Sequence, residues 1–484
     1  MAVPIQLDSI TEDVRATICG ECSVKQRKSQ YVSDPKLIEC FEVSEDASIV
    51  YIPLGQWRTF FVEFPYVYDQ YAKSEMECTK TLYTIETDPK GYRDQDVVAE
   101  EAYSKLVTDH VAFISANPGY GKTGLGNFLA CRIGLKTLVV SHIDKVNDQW
   151  VEEFGLHSSA KVQKVVGKKP LDPTADVYVI GMLKLAGMDR SAFDGINIGL
   201  VIFDEAHVAT VTAFSKSLLK LSPLYVLGLS ATPERADGMQ KLLTMYFGPK
   251  INYIHRQEVK DFTVYKYETD FKPTINYNLT WGGTILDWTT VINSIAYQVD
   301  RQQFIATIAS WHPSERMMIL SDRTKECDAI HSTLVEWYGE TEVYKMDNKN
   351  KNDSIEIIQQ YRILIAGRKR AGIGFNDPTR NMLVLCTDCI DVRQNEGRVR
   401  TSGNIIYDLV DNFSTFETHW TKRETWYLQR GADVQVIPRA EAIFGASPGR
   451  RGRTPASRSA PVSRGGGGGR RLPPNVSKVS TPGE

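Results

Sequence analysis

At 484 residues the chain is longer than one ordinary hydrophobic core organises, and roughly two to four domains are expected. A 42% hydrophobic and 24% charged composition fits a water-soluble globular protein; no apolar run reaches the roughly 18 residues of a membrane-spanning helix, and the start, MAVPIQLDSITEDVR, lacks the basic end and apolar centre of a secretory signal. The net charge of −2 hides an asymmetry, since from Ser447 onward there are eight basic residues and one acid, so the rest of the chain is acidic and a uniformly basic binding surface is excluded.

Residues 1–88 alternate apolar and polar positions in short runs, such as Ser48–Ile52 and Thr59–Phe64, which predicts a small strand-rich leader domain with no catalytic signature. Over 89–250 the pattern changes. The apolar runs Val111–Ser115, Thr137–Ser141, Asp176–Gly181, Leu200–Asp204 and Tyr225–Ser230 alternate with helical stretches, as in a parallel sheet covered on both faces. Functional residues then belong at the carboxyl ends of those strands. Residues 251–290, which include TWGGTILDW, read as a linker with some strand content. A second series fills 291–440: a helix near Val299–Trp311, then strands Met317–Ser321, Ile363–Ala366, Met382–Cys386 and Ile405–Val410. The fold class is therefore α/β, with two tandem parallel-sheet domains after a strand-rich leader. Residues 441–484, rich in Arg, Gly, Ser and Pro, lack the apolar side chains that offset chain entropy and predict a disordered basic tail.

Eight cysteines include the pairs Cys19/Cys22 and Cys386/Cys389, which lie most of the chain apart. That spacing favours reduced structural thiols in a cytosol-like compartment over a zinc framework.

The chemistry is concentrated in VAFISANPGYGKT, Val111 to Thr123: a strand, a turn-rich loop and a helix start. Glycine lets a backbone pass close to an anion, and the loop amides of Ala116, Asn117, Pro118, Gly119, Tyr120 and Gly121 frame a phosphate site, proline contributing shape only. Lys122 supplies a cation for the β- and γ-phosphates of ATP, and the Thr123 hydroxyl a ligand for Mg²⁺. Ala116 stands where the pattern GxxxxGK[ST] has its first glycine. Further on, the strand Leu200–Phe203 delivers Asp204 and Glu205, followed by Ala206 and His207. Asp204 suits Mg²⁺ held through water, and Glu205 suits the attacking water of phosphoryl transfer.

ANPGYGKT, DEAH (Asp204–His207) and Ser230-Ala231-Thr232 resemble motifs I, II and III of the superfamily 2 helicases. LGLSATPERADGM (Leu227–Met239) and TLVVSHIDKVNDQWVEEF (Thr137–Phe154) resemble the branch that holds the xeroderma pigmentosum group B helicases and the transcript-release DNA helicases of large DNA viruses. The likeness runs over about residues 90–435. Gly372–Pro378 is similar to motif V, with Asn376 in the family's aspartate position and Asp377 following it. Gln394–Arg400 is similar to motif VI, QxxGRxxR, where Arg398 fits the first arginine and Arg400 lies one place early for the second. Tyr92-Arg93-Asp94-Gln95 is similar to the segment that reads adenine.

The resemblance implies two RecA-like domains with ATP and Mg²⁺ between them. It implies Arg398, or else Arg400, as an arginine finger, Gln95 and Asp377 at the nucleotide, and His207, Ser230, Thr232, Gln394 and Gly397 in coupling. It further implies a 3′ to 5′ helicase or translocase on single-stranded or duplex DNA, working with transcription machinery in viral transcript release. An RNA helicase or RNA-stimulated ATPase, and an ATP-gated clamp that does not unwind, are the alternatives. No membrane partner is expected of such a soluble intracellular protein; if viral, it belongs to the host cytoplasm or nucleus, or to the virion.

Overall fold

The computed structural model describes residues 1–25, 37–65, 70–89, 93–209, 216–231, 240–256, 261–280, 283–346, 354–372, 377–399 and 403–438. The basic tail lies outside them, as do Thr232, Asn376 and Arg400.

The leader begins with β1 (Ala2–Gln6) and helix α1 (Glu12–Glu21), whose Thr11 cap accepts from the Val14 amide at 3.4 Å. β2 (Ser23–Lys25) pairs with β3 (Leu37–Glu39), and β4 (Glu42–Val43) and β5 (Ile49–Pro53) join β1 in an antiparallel sheet ordered β1-β5-β4. The run Thr59–Phe64 is not a strand. Its first residues end helix α2 (Trp57–Phe60), and the aromatic rings outbid the alternation. The Trp57 indole donates to the Asp109 carbonyl at 2.8 Å, and Phe64 stacks on His110 at 3.5 Å. The leader shares one core with the next domain, where Ile5, Ile52 and Trp57 join the cluster of Val111, Phe113 and Phe247.

Helix α3 (Gln95–Asp109) opens the first large domain and ends on His110 in the left-handed region. Strands β6 (Val111–Ala116), β7 (Thr137–Ser141), β8 (Val162–Val165), β9 (Val177–Gly181), β10 (Leu200–Asp204), β11 (Tyr225–Ser230) and β12 (Tyr253–Arg256) form one sheet ordered β12-β6-β11-β10-β7-β9-β8. Every pairing in it is parallel. The central strands are buried on both faces: Val111 and Phe113 pack into one cluster, Ala112 and Ile114 into the other. That is why they read as unbroken apolar runs. Helices α4 (Lys122–Ile133) and α5 (Asp144–His157) cover the second face.

The linker expected over 251–290 is divided instead. β12 is the edge strand beside β6. β13 (Phe262–Glu268) belongs to the second sheet, where it sits between two other strands. Its alternation conceals a strand buried on both sides, because Lys266 is neutralised in place by Glu268 at 2.7 Å and Glu417 at 2.8 Å. A separate hairpin, β14 (Tyr277–Thr280) with β15 (Gly283–Leu286), follows. Then come β16 (Met317–Ser321), β17 (Val343–Lys345), β18 (Ile363–Gly367), β19 (Met382–Leu385), β20 (Asn404–Val410) and β21 (Ala432–Ile437). The second sheet, β17-β18-β16-β19-β20-β13-β21, is again parallel throughout. Two tandem seven-stranded parallel sheets are thus the α/β architecture that the sequence predicts.

The second domain also encloses charge. Arg301 is wholly buried; its Nε and Nη2 reach Asp411 at 3.0 and 2.9 Å, and its Nη1 reaches Glu326 at 2.5 Å. Burial pushes the Glu326 carboxyl upward, with Arg301 opposing. All eight cysteines are unbridged, and among the described residues none joins a group able to hold a metal. Among the described residues no helix is long and apolar enough to cross a membrane.

Removing Arg301 leaves two carboxylates in the core without their cation. Arg301→Leu is therefore expected to cost about 3–5 kcal/mol, read as a lower denaturant midpoint for the chain; an unchanged midpoint would show that the network carries no stability.

Candidate functional site

The site starts where β6 ends. Gly119 and Gly121 adopt φ of 85° and 98°, which L side chains rarely do, and the chain turns sharply into α4. The cap position of that helix is Gly121, which makes no side-chain cap bond, and a helix start of this kind is where an anion is favoured. Ala116 is the last residue of β6, buried and not in a left-handed conformation, so this position accepts a methyl group. Lys122 Nζ donates to the carbonyls of Ala116 at 2.7 Å and Asn117 at 3.3 Å, folded onto its own loop. Thr123 is half-buried in the first turn of α4.

Gln95 braces the loop from below. Its Nε2 donates to the Tyr120 carbonyl at 2.6 Å, and its Oε1 accepts from the Tyr83 amide at 3.1 Å. It is buried, so the structure uses the amide that was expected to read adenine to hold the loop's backbone. A methyl group at Gly121 would stand 2.2 Å from that Nε2. Tyr120 is also held by its phenol, which donates to Asp94 Oδ1 at 2.6 Å, and burial together with Asp94 raises the phenol's pKa well above its ordinary value.

The carboxylates arrive on β10, separated from β6 by β11 alone. At the usual spacing of strands this sets the two strand ends about 10 Å apart, room for a chain of phosphates. Asp204 Oδ2 accepts from the Trp150 indole at 3.0 Å, and its Oδ1 from the Glu205 amide at 3.0 Å. Burial and the neighbouring Glu205 raise its pKa. Glu205 has φ of 51°, a strained position for a residue with a side chain, which turns its carboxylate away from the line of the strand. His207 Nδ1 lies 2.8 Å from Ser230 Oγ and 3.4 Å from Glu205 Oε2. The end of β11 is thereby joined to the end of β10.

The second domain meets the loop at Gly397. A methyl group there would lie 2.7 Å from Pro118 Cγ and 2.8 Å from Pro118 Cβ, so only glycine permits this approach. The short helix Arg393–Glu396 carries Gln394 and leads into that turn. The turn is anchored from behind by Glu396, which pairs with Arg430 at 3.3 Å, both buried. Arg398, half-buried, comes next, with its amide donating to the Asn395 carbonyl at 3.1 Å.

Asp377 does not join this site. Its carboxylate accepts from Thr379 at 3.0 and 2.6 Å and pairs with Arg380 at 2.8 Å. Arg380 in turn donates to the carbonyls of Met317 and Arg362, at the amino-terminal ends of β16 and β18. Gly397 follows the carboxyl end of β19 in the same parallel sheet, so Asp377 stands at the wrong end to reach a nucleotide there. It buckles the sheet's base, and burial acts against the Thr379 and Arg380 contacts that leave its pKa lowered. Three further side chains support the site: Asp94 and Arg256, and Trp150 through its bond to Asp204. Asp94 and Arg256, 162 residues apart, form an ion pair at 2.9 Å, and no local pattern announces it.

Residues 89–235 match the family described as "Type III restriction enzyme, res subunit". A protein of Invertebrate iridescent virus 6 named as a helicase is 26% identical over 80% of this chain and 89% of its own length. A protein of Acanthamoeba polyphaga mimivirus named as an ATP-dependent RNA helicase is 25% identical over 67% of this chain and 65% of its own. Among solved structures, a fragment of the HsdR subunit of a type I restriction enzyme from Vibrio vulnificus is similar with a TM-score of 0.53 at 16% identity, over 75% of this chain and 72% of that one, a likeness of fold.

The Gly397 contact gives a direct test. Gly397→Val is expected to wedge the two walls apart, leaving binding of a fluorescent ATP analogue near wild type while hydrolysis falls about 100-fold, as misplacement by an ångström does. Equal losses in binding and turnover would move the effect to the phosphate loop itself.

Proposed function

We propose that this chain, an ATP-hydrolysing helicase of the superfamily 2 type, converts hydrolysis between its two sheets into movement along DNA. The observation that carries this reading is the contact of Gly397 with Pro118. It sets the arginine-bearing turn of one domain against the phosphate loop of the other, so that a γ-phosphate has protein on both sides. Lys122 has carbonyl acceptors in its resting position, and bound phosphate oxygens replace them with stronger partners. Glu205 orients the attacking water, and Asp204 is steadied for its own role by Trp150. Arg398 approaches the charge that develops on the transferred group.

A hydroxyl at Thr123 and a carboxylate at Asp204 form a hard-oxygen set suited to Mg²⁺, which, when bound, supplies neutralising charge on the phosphate oxygens. His207 and Ser230 link the hydrolytic carboxylate to the end of β11 and so pass the state of the site onward.

Loss of the γ-phosphate releases the two walls, and each cycle shifts one domain's grip on a strand relative to the other's. The match of the first domain to a restriction-enzyme subunit supports DNA as the track, and the resemblance of the motifs supports 3′ to 5′ travel and a part in viral transcript release. An RNA-directed helicase is the second reading, favoured by the name of the mimivirus relative.

Hydrolysis measured with duplex DNA, single-stranded DNA and RNA decides between them: DNA is expected to stimulate most, and stimulation by RNA alone would overturn the first reading. Lys122→Ala and Glu205→Gln are each expected to lower stimulated turnover about 100-fold or more, and wild-type turnover in either would remove the assigned site. Strand displacement by the wild type distinguishes a motor from a clamp.

A further inference from the structure

We infer that Arg256 is a positioning residue for ATP turnover, tying the strand that leads into the second domain to the phosphate loop through Asp94 and Tyr120. Arg256 ends β12 and pairs in parallel register with Ala116, the residue from which the phosphate loop departs. The same strand is the covalent road to the second sheet: five residues separate Arg256 from Phe262, where β13 begins. So short a connection spans at most about 20 Å even when extended. Arg256 thus ends the first sheet close along the chain to β13, which is held between β20 and β21.

Its side chain reaches the elements that support the phosphate loop. Arg256 Nε lies 2.9 and 3.1 Å from the two oxygens of Asp94, and Nη2 lies 3.6 Å from Glu101 on α3. Asp94 Oδ1 accepts the Tyr120 phenol at 2.6 Å. Tyr120, 1% exposed, cannot move aside, and its carbonyl is held by Gln95. The next residues are Gly121, at φ 98°, and Lys122. The direction of the Tyr120 side chain thus sets where the loop's last turn lies. An open surface ion pair would do little of this. Here the Arg256 and Asp94 side chains are 28% and 18% exposed, and the carboxylate is shared with a buried hydroxyl. The loop is consequently held at two points: Pro118 meets Gly397 of the second domain, and Tyr120 is held by Asp94, which Arg256 at the end of the first sheet steadies.

The inference rests on the reading that nucleotide turnover and domain movement are coupled, and two measurements on the full chain keep them apart. The first needs no nucleic acid. Equilibrium binding of fluorescent ATP and ADP analogues to the wild type and Arg256→Ala compares their selectivity, since the loop that Arg256 steadies is the one assigned to the terminal phosphates. Arg256→Ala is expected to reduce preference for the ATP analogue by at least about three-fold, with Arg256→Lys recovering part of it and Asp94→Asn reproducing it. Unchanged selectivity overturns the relay.

The second is steady-state hydrolysis with and without single-stranded DNA. Arg256→Ala is expected to lose about five-fold or more of the stimulation, read as the ratio of kcat with DNA to kcat without it, and to lose the dependence of KM on DNA. Combined with Asp94→Asn it should be no worse than Asp94→Asn alone. Retained stimulation, or a parallel fall of basal kcat and Tm that Arg256→Lys does not relieve, overturns the relay. A wild type that neither DNA nor RNA stimulates overturns the proposed function instead.

Discussion

A helix that begins at a glycine, with no side-chain cap bond at that position, turns its positive end toward the loop before it, and much of this protein stands around that one end. Gly119 and Gly121 make the turn possible, because both adopt conformations closed to other residues. Strand β6, buried on both faces, fixes where the turn starts. β10 brings Asp204 and Glu205 to the same level two strands away, since the sheet is parallel and all of its carboxyl ends lie on one edge. A single antiparallel reversal among these strands would send one partner to the opposite edge.

The loop is nonetheless not self-supporting. Gln95 spends its amide on the backbone of Tyr83 and Tyr120, and Tyr120 gives its phenol to Asp94. Gly397 closes on Pro118 from the second sheet. Polar bonds of this kind hold only at narrow distances, so a loop gripped by several of them is sensitive to small displacements of the elements that supply them. That sensitivity is what a domain movement requires if it is to be read at the nucleotide. Glu205 carries a related cost: its left-handed backbone is tolerated because β10 and the His207–Ser230 contact hold its surroundings.

Buried charge serves a different purpose in the second domain. Arg301 with Asp411 and Glu326, and Arg423 with Asp408 and Asp388, pin helices to the carboxyl ends of β16, β19 and β20. Each ion is covered, so each depends on its partner rather than on water. These pairs hold rigid the face from which the Arg393–Arg398 turn projects.

The sequence by itself determined the repeated apolar strands, the parallel α/β architecture and the order strand, loop, helix around Lys122, because a strand buried on both faces must be apolar at every position and a phosphate loop is a local object. It also announced Asp204 and Glu205, since carboxylates that end an apolar run are conspicuous. It did not announce β13, whose Lys266 disguises an interior strand by finding Glu417 on a distant helix. It misdirected Asp377, because adjacency in the chain does not say which end of a sheet a side chain serves; Arg380 and the carbonyls beneath it decide that. Only the tertiary structure decided the grip on the loop, joining Arg256 to Asp94 across 162 residues and Gly397 to Pro118 across the two domains. Such contacts depend on how separately formed sheets lie against one another, and local pattern carries no record of that.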